Sequence, residues 1–381
     1  MIAPGGPPAR RVLIAGGGTG GHLMPALAIA RALQARCPAV EPVMIGAERG
    51  LEARLLPQRE FRFHLLPVEP LYRHEWWKNL RWPVVAGRVL GRIRRIFDTE
   101  RPAVVIGTGG YASGPAVWWA QRLGLPTALQ EQNAFPGLVT RYLAGRARHL
   151  YLGVPEARHR LAPGNQTEVF DTGNPIAPPD PGRQATARRR FGLPVLGGET
   201  GPVLLITGGS QGAVVLNETV AEWLAGGGAR GSIVLWATGR GSYSRFARFH
   251  APPAVQVFDF LDPIADGYAV ADLALGRAGM MTGAELCAWG VPSILVPLPT
   301  AAGDHQRYNA LALEAAGAAK VLLQSDLSAA RLENEVGPLL RDRPRLAGMA
   351  RAAAERGRPA AAVEIAAHLE ALLESARVSQ L

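Results

Sequence analysis

Three times along this chain a short β-branched run ends in a cluster of glycines that opens directly onto a helical pattern: residues 16–21 (GGGTGG), 107–114 (GTGGYASG) and 207–212 (TGGSQG). A strand that becomes a helix through bare glycines lets main-chain amides face an anion, with the positive end of the helix dipole behind them. This feature confines the chain to parallel α/β architectures, in which strands and helices alternate. The flanking sequence agrees. RVLIAG, PALAIARALQA and EPVMIG begin the alternation, with the first strand starting at Val12, and AVVIG, PTALQ and HLYLG continue it. A breaker-rich stretch at residues 174–182 interrupts the rhythm, as an interdomain linker would. PVLLITGG, SIVLWATG, VQVFDFL, ADLALG and PSILVPL then restart the same grammar. The reading is α/β, with two Rossmann-like doubly wound domains over residues 1–173 and 174–357.

Length supports two cores, since 381 residues exceed what one ordinary core organises. With 48% hydrophobic and 19% charged residues the chain is globular, and no uninterrupted apolar run reaches the roughly 18 residues that a spanning helix needs. The first eleven residues, MIAPGGPPARR, hold no apolar signal core, so the expected location is the cytosol. The formal charge of +10 favours anionic partners, whether nucleic acid, phosphorylated small molecules or an acidic membrane. Nearly all of it is arginine, Lys78 and Lys320 being the two lysines. Cys37 and Cys287 fall on predicted helices, far apart and without metal-type spacing, and are expected to be buried thiols.

Gly16, Gly18 and Gly21 satisfy G-x-G-x-x-G, and Glu48 lies where a ribose-binding carboxylate would stand, so this loop alone suggests NAD. Each glycine taken singly is explained by a tight turn. Three phosphate-type loops, however, exceed the needs of one dinucleotide. Ligands of open α/β sheets bind beyond the carboxyl ends of the strands, so two such domains facing each other would gather all three loops around one cleft.

The segments GGTGGHLMPALAIA (17–30), GTGGYASGP (107–115), EQNAFPGL (131–138), TGNP (172–175), GGSQGA (208–213) and DHQRYNA (304–310) together resemble the successive motifs of the MurG family of N-acetylglucosaminyl transferases. The resemblance runs in order from about residue 11 to residue 320. It implies the GT-B glycosyltransferase architecture and an inverting transfer of N-acetylglucosamine from UDP-N-acetylglucosamine to the C4 hydroxyl of the lipid-linked muramoyl pentapeptide, at the cytoplasmic face of the membrane. It implies no cofactor, no metal and no nucleic acid. By analogy with two-domain sugar transferases, the alanine-rich helix within residues 358–381 is expected to return to the first domain. Two positions depart from the family pattern: Ala177 stands where an arginine commonly follows the GNP element, and Gln130 where a histidine often precedes EQN.

Inverting transfer needs a base for the acceptor hydroxyl, stabilisation of the leaving nucleotide and in-line positioning. His22 sits where the first loop becomes a helix, and the dipole there disfavours imidazolium. It is a candidate base or an organiser of the loop, with Thr19 and Asn133 beside it in the resemblance. Gly18, Gly20, Gly21, Gly109, Gly110 and Tyr111 are assigned to the acceptor pyrophosphate. On the donor side, Ser210 with the amides of Gly209, Gln211 and Gly212 suits a pyrophosphate at a helix start. Arg277 is a candidate for the positive charge, Glu285 for the ribose hydroxyls, and Leu261 for the uracil. Met281 and Thr282 complete the donor set, and Gln306 is matched to the sugar ring. Asp304 is explained as a helix N-cap, and Arg307 replaces a second glutamine of some relatives.

Between residues 71 and 97, Arg73, Lys78, Arg81, Arg88, Arg92, Arg94 and Arg95 stand against Glu75, with Trp76, Trp77 and Trp82 interleaved. Such a mixture suits an anionic headgroup layer, and RNA would use it too. A solvated helix with its tryptophans packed inside is the plain alternative. A UDP-N-acetylglucosamine epimerase or glycolipid synthase of the same fold, a dehydrogenase and an RNA-binding module are the rival functions.

Overall fold

The computed structural model describes residues 10–69, 77, 81–194, 201–209 and 212–378. The chain divides into two units, residues 1–176 with 360–381, and residues 177–359.

The first unit is built on seven strands: β1 (Arg10–Ala15), β2 (Val40–Ala47), β3 (Arg62–Leu66), β4 (Val104–Gly107), β5 (Thr127–Glu131), β6 (His149–Leu152) and β7 (Glu168–Phe170), in the order β3-β2-β1-β4-β5-β6-β7. All pairings are parallel. Central strands of such a sheet are covered on both faces and therefore read as continuous apolar runs. β1 divides accordingly: Val12 and Ile14 enter one core cluster, Leu13 and Ala15 the other. The first cluster lies under helix Gly20–Arg36, the second under helices Trp82–Glu100 and Ser113–Arg122. The strand order reverses between β1 and β4, so the loops leaving these two strands part to opposite faces. That is the topological switch point, where open α/β sheets bind ligands.

The second unit repeats the plan with β8 (Val203–Thr207), β9 (Ile233–Ala237), β10 (Val255–Phe258), β11 (Leu273–Arg277), β12 (Ser293–Val296) and β13 (Ala319–Val321), in the order β10-β9-β8-β11-β12-β13. These too are all parallel, and the switch point falls between β8 and β11.

The C-terminal helix Ala361–Val378 packs against helix Gly20–Arg36, with Ile365, Ala366, Leu369, Leu372 and Leu373 inside the first unit's core. Most of a helix's stability in a protein comes from packing one face rather than from propensity. Burying each large side chain adds about 1.5–3 kcal/mol, which fixes the helix there.

Three strands go unread in the sequence, β3, β7 and β13, and all are sheet edges. An edge strand is short and carries polar residues, such as Arg62 and His64 in β3 and Glu168 in β7, so its apolar signal is weak. The expectation of two buried thiols needs correction. Cys287 is buried, and that burial pushes its thiol up to about 11. Cys37 is only partly buried, at the end of helix Gly20–Arg36, where its Sγ donates to Glu370 Oε1 at 3.0 Å. Partial burial, then that hydrogen bond, raises its pKa to about 11. Among the described residues no helix is long and apolar enough to cross a membrane.

Candidate functional site

In the first unit the loops after β1 and β4 meet backbone against backbone. A side chain at Gly110 would strike the Gly17 carbonyl oxygen at 1.9 Å, and Gly110 itself has φ +75°. The turn after β4 is pinned by Thr108, whose main-chain N donates to Ala15 O at 2.8 Å and whose Oγ1 donates to His22 O at 2.8 Å. The predicted residues His22, Thr19, Gly18, Gly109, Gly110 and Tyr111 are therefore brought together. The His22 ring lies against Gly109, the Tyr111 ring against Gly18. His22 is the third residue of helix Gly20–Arg36, and Thr19 is its N-cap position. Thr19 makes no capping bond; its Oγ1 is instead 3.1 Å from His22 Nδ1.

One residue that the sequence did not point out organises this loop. Glu52 is fully buried, and its Oε1 accepts from Gly18 N at 2.6 Å and from Ala47 N at 3.1 Å. A side chain at Gly17 would meet that oxygen at 1.7 Å. Oε2 is buried with no hydrogen-bond partner among the described residues. The Gly18 amide, assigned from the sequence to an acceptor anion, donates in this structure to the Glu52 carboxylate. The only trace of this in the sequence is a lone acid in the apolar run LEARLLP, just after Gly46 and Gly50.

The EQN and GNP elements form a buried amide chain. Gln132 Nε2 donates to Thr108 O at 2.7 Å and also to Gln130 Oε1. Gln130 Nε2 donates to Asn174 Oδ1 at 3.1 Å, and Asn174 Nδ2 to Gln132 O at 3.1 Å. Gln130, the departure from the family pattern, is thus a connecting member of the network that joins the ends of β4, β5 and β7. Ala177 is exposed. Asn133 is partly buried in a turn held by Glu131, whose Oε1 accepts from Asn133 N and Nδ2 at 3.0 and 3.3 Å and whose Oε2 accepts from Gly137 N at 3.0 Å.

In the second unit the turn after β8 closes through Gly212 N donating to Gly209 O at 3.0 Å, with φ +79° at Gly209 and +74° at Gly212. Ser210 and Gln211 lie outside the described residues. Helix Val214–Ala225 follows with Ala213 at its N-cap and no side-chain cap. Beyond β11, helix Met280–Ala288 carries Met281 and Thr282, both half-buried, in its first turn. Glu285 accepts from the Tyr268 hydroxyl at 2.8 Å. Burial raises the Glu285 carboxyl above the usual range, and the Tyr268 bond pulls it back in part. Gln306 Oε1 accepts from Leu298 N at 3.0 Å, which holds the amide beside the end of β12.

Three of the predicted residues have partners within the scaffold. Leu261 is 2% exposed in a core cluster with Leu205 and Tyr268, so its side chain offers no face to a base. Asp304 occupies the N-cap position of helix His305–Ala315 with φ +56° and makes no capping bond; it pairs with Arg307 at 3.7 Å. Arg277 is bonded to the scaffold: Nη1 donates to Val296 O and Pro297 O at 3.2 and 3.4 Å, and Nη2 to Gln324 Oε1 at 2.6 Å. Burial lowers its pKa. No group of three or more His, Cys, Asp or Glu among the described residues is placed to hold a metal ion.

Comparison with known proteins adds two family matches, the glycosyltransferase family 28 N-terminal domain over residues 12–152 and its C-terminal domain over residues 203–365. The chain is 41% identical to the UDP-N-acetylglucosamine--N-acetylmuramyl-(pentapeptide) pyrophosphoryl-undecaprenol N-acetylglucosamine transferase of Moorella thermoacetica, over 92% of this chain and 96% of that protein. The Salinibacter ruber protein of the same name is 38% identical over 97% and 99%. Among solved structures, Acinetobacter baumannii MurG superposes with a TM-score of 0.75 at 27% identity, over 95% of this chain and 99% of that one. A Listeria monocytogenes protein described as a putative UDP-N-acetylglucosamine 2-epimerase shares the fold, with a TM-score of 0.67 at 17% identity over 96% and 97%.

The close approach at Gly17 is testable by a double-mutant cycle. Gly17→Ala is expected to cost about 1–3 kcal/mol by overpacking against Glu52, and markedly less in a Glu52→Ala background, where the blocking oxygen is gone. Urea unfolding measures both. Equal penalties in the two backgrounds would show that Glu52 does not set the conformation of this loop.

Proposed function

The chain belongs to the MurG family of UDP-N-acetylglucosamine--N-acetylmuramyl-(pentapeptide) pyrophosphoryl-undecaprenol N-acetylglucosamine transferases, and we propose that it carries out that transfer with the acceptor on its N-terminal unit and the donor on its C-terminal unit. The observation that carries this division is that each sheet has a glycine loop at its switch point, followed by a helix whose start has no side-chain cap. Two phosphate-type sites suit two substrates that both carry a diphosphate.

In this reading the amides of Gly20 and Gly21 meet the acceptor diphosphate, Gly18 being held by Glu52. The C4 hydroxyl oxygen bonds to the anomeric carbon as the bond to UDP breaks from the opposite side, and the hydroxyl proton leaves to a base. His22 fills that role if Nδ1–H donates to Thr19 Oγ1, since Nε2 is then the accepting nitrogen. In the other tautomer His22 is an organiser. The uncapped start of helix Val214–Ala225 takes the leaving diphosphate, Glu285 the ribose hydroxyls and Gln306 the sugar. Main-chain groups near Leu261 read the base.

Helix Trp82–Glu100 supplies the membrane contact. Val89, Ile93, Ile96 and Phe97 are buried, whereas Trp82, Val84 and Leu90 are exposed among exposed Arg81, Arg88, Arg92, Arg94 and Arg95. Trp77 is also exposed; Arg73, Glu75, Trp76 and Lys78 lie outside the described residues. Apolar and cationic side chains presented together suit the cytoplasmic leaflet, where each basic residue contributes about 1 kcal/mol.

The direct test is transfer of labelled N-acetylglucosamine to a synthetic lipid-linked muramoyl pentapeptide. Product is expected only with acceptor present; turnover of UDP-N-acetylglucosamine alone would point to an epimerase. In the same assay His22→Ala is expected to lower turnover about 10²–10⁴-fold with donor affinity little changed, and undiminished turnover would remove His22 from the mechanism.

Donor affinity should follow the charge on Glu285. It is expected to fall as the pH drops through the raised pKa of this carboxyl. Tyr268→Phe removes a bond that lowers that pKa, so the fall should begin at higher pH, while Glu285→Gln should flatten it. Calorimetric titration with UDP-N-acetylglucosamine across pH would decide, and an unchanged profile in both variants would exclude Glu285 from the donor site.

Arg92→Glu, Arg94→Glu and Arg95→Glu combined are expected to reduce sedimentation with anionic liposomes while sparing transfer to a detergent-soluble short-chain acceptor. Salt should mimic the substitutions, because surface attraction decays over roughly 8 Å at physiological ionic strength. Wild-type sedimentation of the triple variant at low salt would end the docking assignment.

A further inference from the structure

The breaking glycosidic bond leaves its electron pair on the donor diphosphate, so a cation held there stabilises the transition state more than the ground state. Arg277, the candidate from sequence, donates through Nη1 to Val296 O and Pro297 O and through Nη2 to Gln324, which leaves it fewer donors for a ligand.

A second arginine at the same edge of the sheet is placed differently. Arg240 follows β9 through Thr238 and Gly239, the latter with φ +87°. Thr238 is fixed to the end of β10, its N donating to Phe258 O at 2.9 Å and its Oγ1 to the same oxygen at 3.0 Å. This segment also abuts the glycine turn after β8, since a side chain at Gly212 would meet Thr238 O at 2.4 Å and Gly239 Cα at 3.3 Å. Residue 240 therefore leaves the backbone from a strap that touches Gly212 on one side and the end of β10 on the other.

The side chain of Arg240 is exposed, and its guanidinium carbon lies 5.2 Å from the ring centroid of Phe260, which is itself 40% exposed. Among the described residues no carboxylate pairs with it. Exposed Arg245 and Arg331 do find one, Glu218 at 2.6 Å and Glu335 at 2.9 Å, whereas exposed Arg248 lies over Phe249 at 5.2 Å and is not at the end of a strand beside the glycine turn. A guanidinium stacked on an aromatic face keeps its N–H edge available for hydrogen bonding, and a phosphate accepts from it in the plane.

We propose that Arg240 is a donor-site residue whose guanidinium, steadied on Phe260, neutralises the diphosphate of a nucleoside-diphosphate sugar held beside Gly209 and Gly212 at the end of β8. The proposal rests on the assignment of the donor to this unit. It makes Arg240 the cation that meets the charge developing on the leaving group, with Arg277 supporting the strand ends from behind.

Calorimetric titration and competition with uridine, UMP and UDP separate the parts of the ligand. Arg240→Ala is expected to weaken UDP about 10- to 100-fold, as for loss of one charge-assisted hydrogen bond, while uridine binds as to the wild type. Arg240→Lys should recover part of the loss, because the charge returns without the planar fork. Circular dichroism and the unfolding midpoint verify that each variant is folded. Equal loss for uridine and UDP would make Arg240 a base contact and overturn the proposal, and unchanged UDP affinity would reduce it to a cover for Phe260. Failure of the wild type to bind UDP at all would overturn the donor assignment itself, a result distinct from either.

Discussion

The first unit depends on the backbone contact between the loops that leave β1 and β4. Gly110 packs on the Gly17 carbonyl, and the Glu52 carboxylate behind Gly17 draws the Gly18 amide inward. A loop of glycines has many conformations and pays heavily in entropy to adopt one. Here two adjacent strands, a buried carboxylate and the Thr108 hydroxyl remove that freedom, so Thr19 and His22 emerge at a fixed place at the helix start. A loop ordered in this way needs no further ordering to present those side chains.

Charge in the two units is controlled by burial more than by exposed ion pairs. Burial raises the Glu285 carboxyl and lowers the Arg277 guanidinium, and in both cases uncharged or main-chain partners supply the hydrogen bonds. Exposed pairs such as Arg31–Glu60 at 2.8 Å and Arg94–Asp98 at 3.9 Å contribute about 0–1 kcal/mol each. The edge of the first sheet opposite the glycine loops is organised differently. Glu100, 2% exposed, takes His64 Nε2 at 2.7 Å and lies 3.4 Å from Arg11 Nε and 3.5 Å from Arg62 Nη1. That cluster fixes the end of helix Trp82–Glu100 against β1 and β3, leaving the rest of this helix to present its arginines outward.

Both sheets and most of their strands were legible because a parallel strand covered on both faces is apolar throughout, and a glycine cluster marks where it ends. The edges β3, β7 and β13 were not, since a strand with one neighbour tolerates residues such as Arg62 and Glu168. Among candidate site residues, His22 and Gly110 were singled out by their place in a glycine loop or at a helix start, and Glu285 chiefly by the family resemblance. Glu52 and Tyr268 were missed: each acts through one atom on a partner distant in sequence, Gly18 for the former and Glu285 for the latter, and periodicity carries no trace of such pairs.

The amino-acid sequence determined the doubly wound class of both units, the three glycine turns after strands and the family to which the chain belongs, because these follow from local patterns along the chain. Tertiary structure decided which groups remain to meet a ligand. It bonded the Gly18 amide to Glu52 and the two Nη atoms of Arg277 to Val296, Pro297 and Gln324, and placed the Leu261 side chain in the core. It also left Arg240 exposed on Phe260. Each donor, acceptor and apolar face has finite capacity, and only the packed structure shows where that capacity is already used.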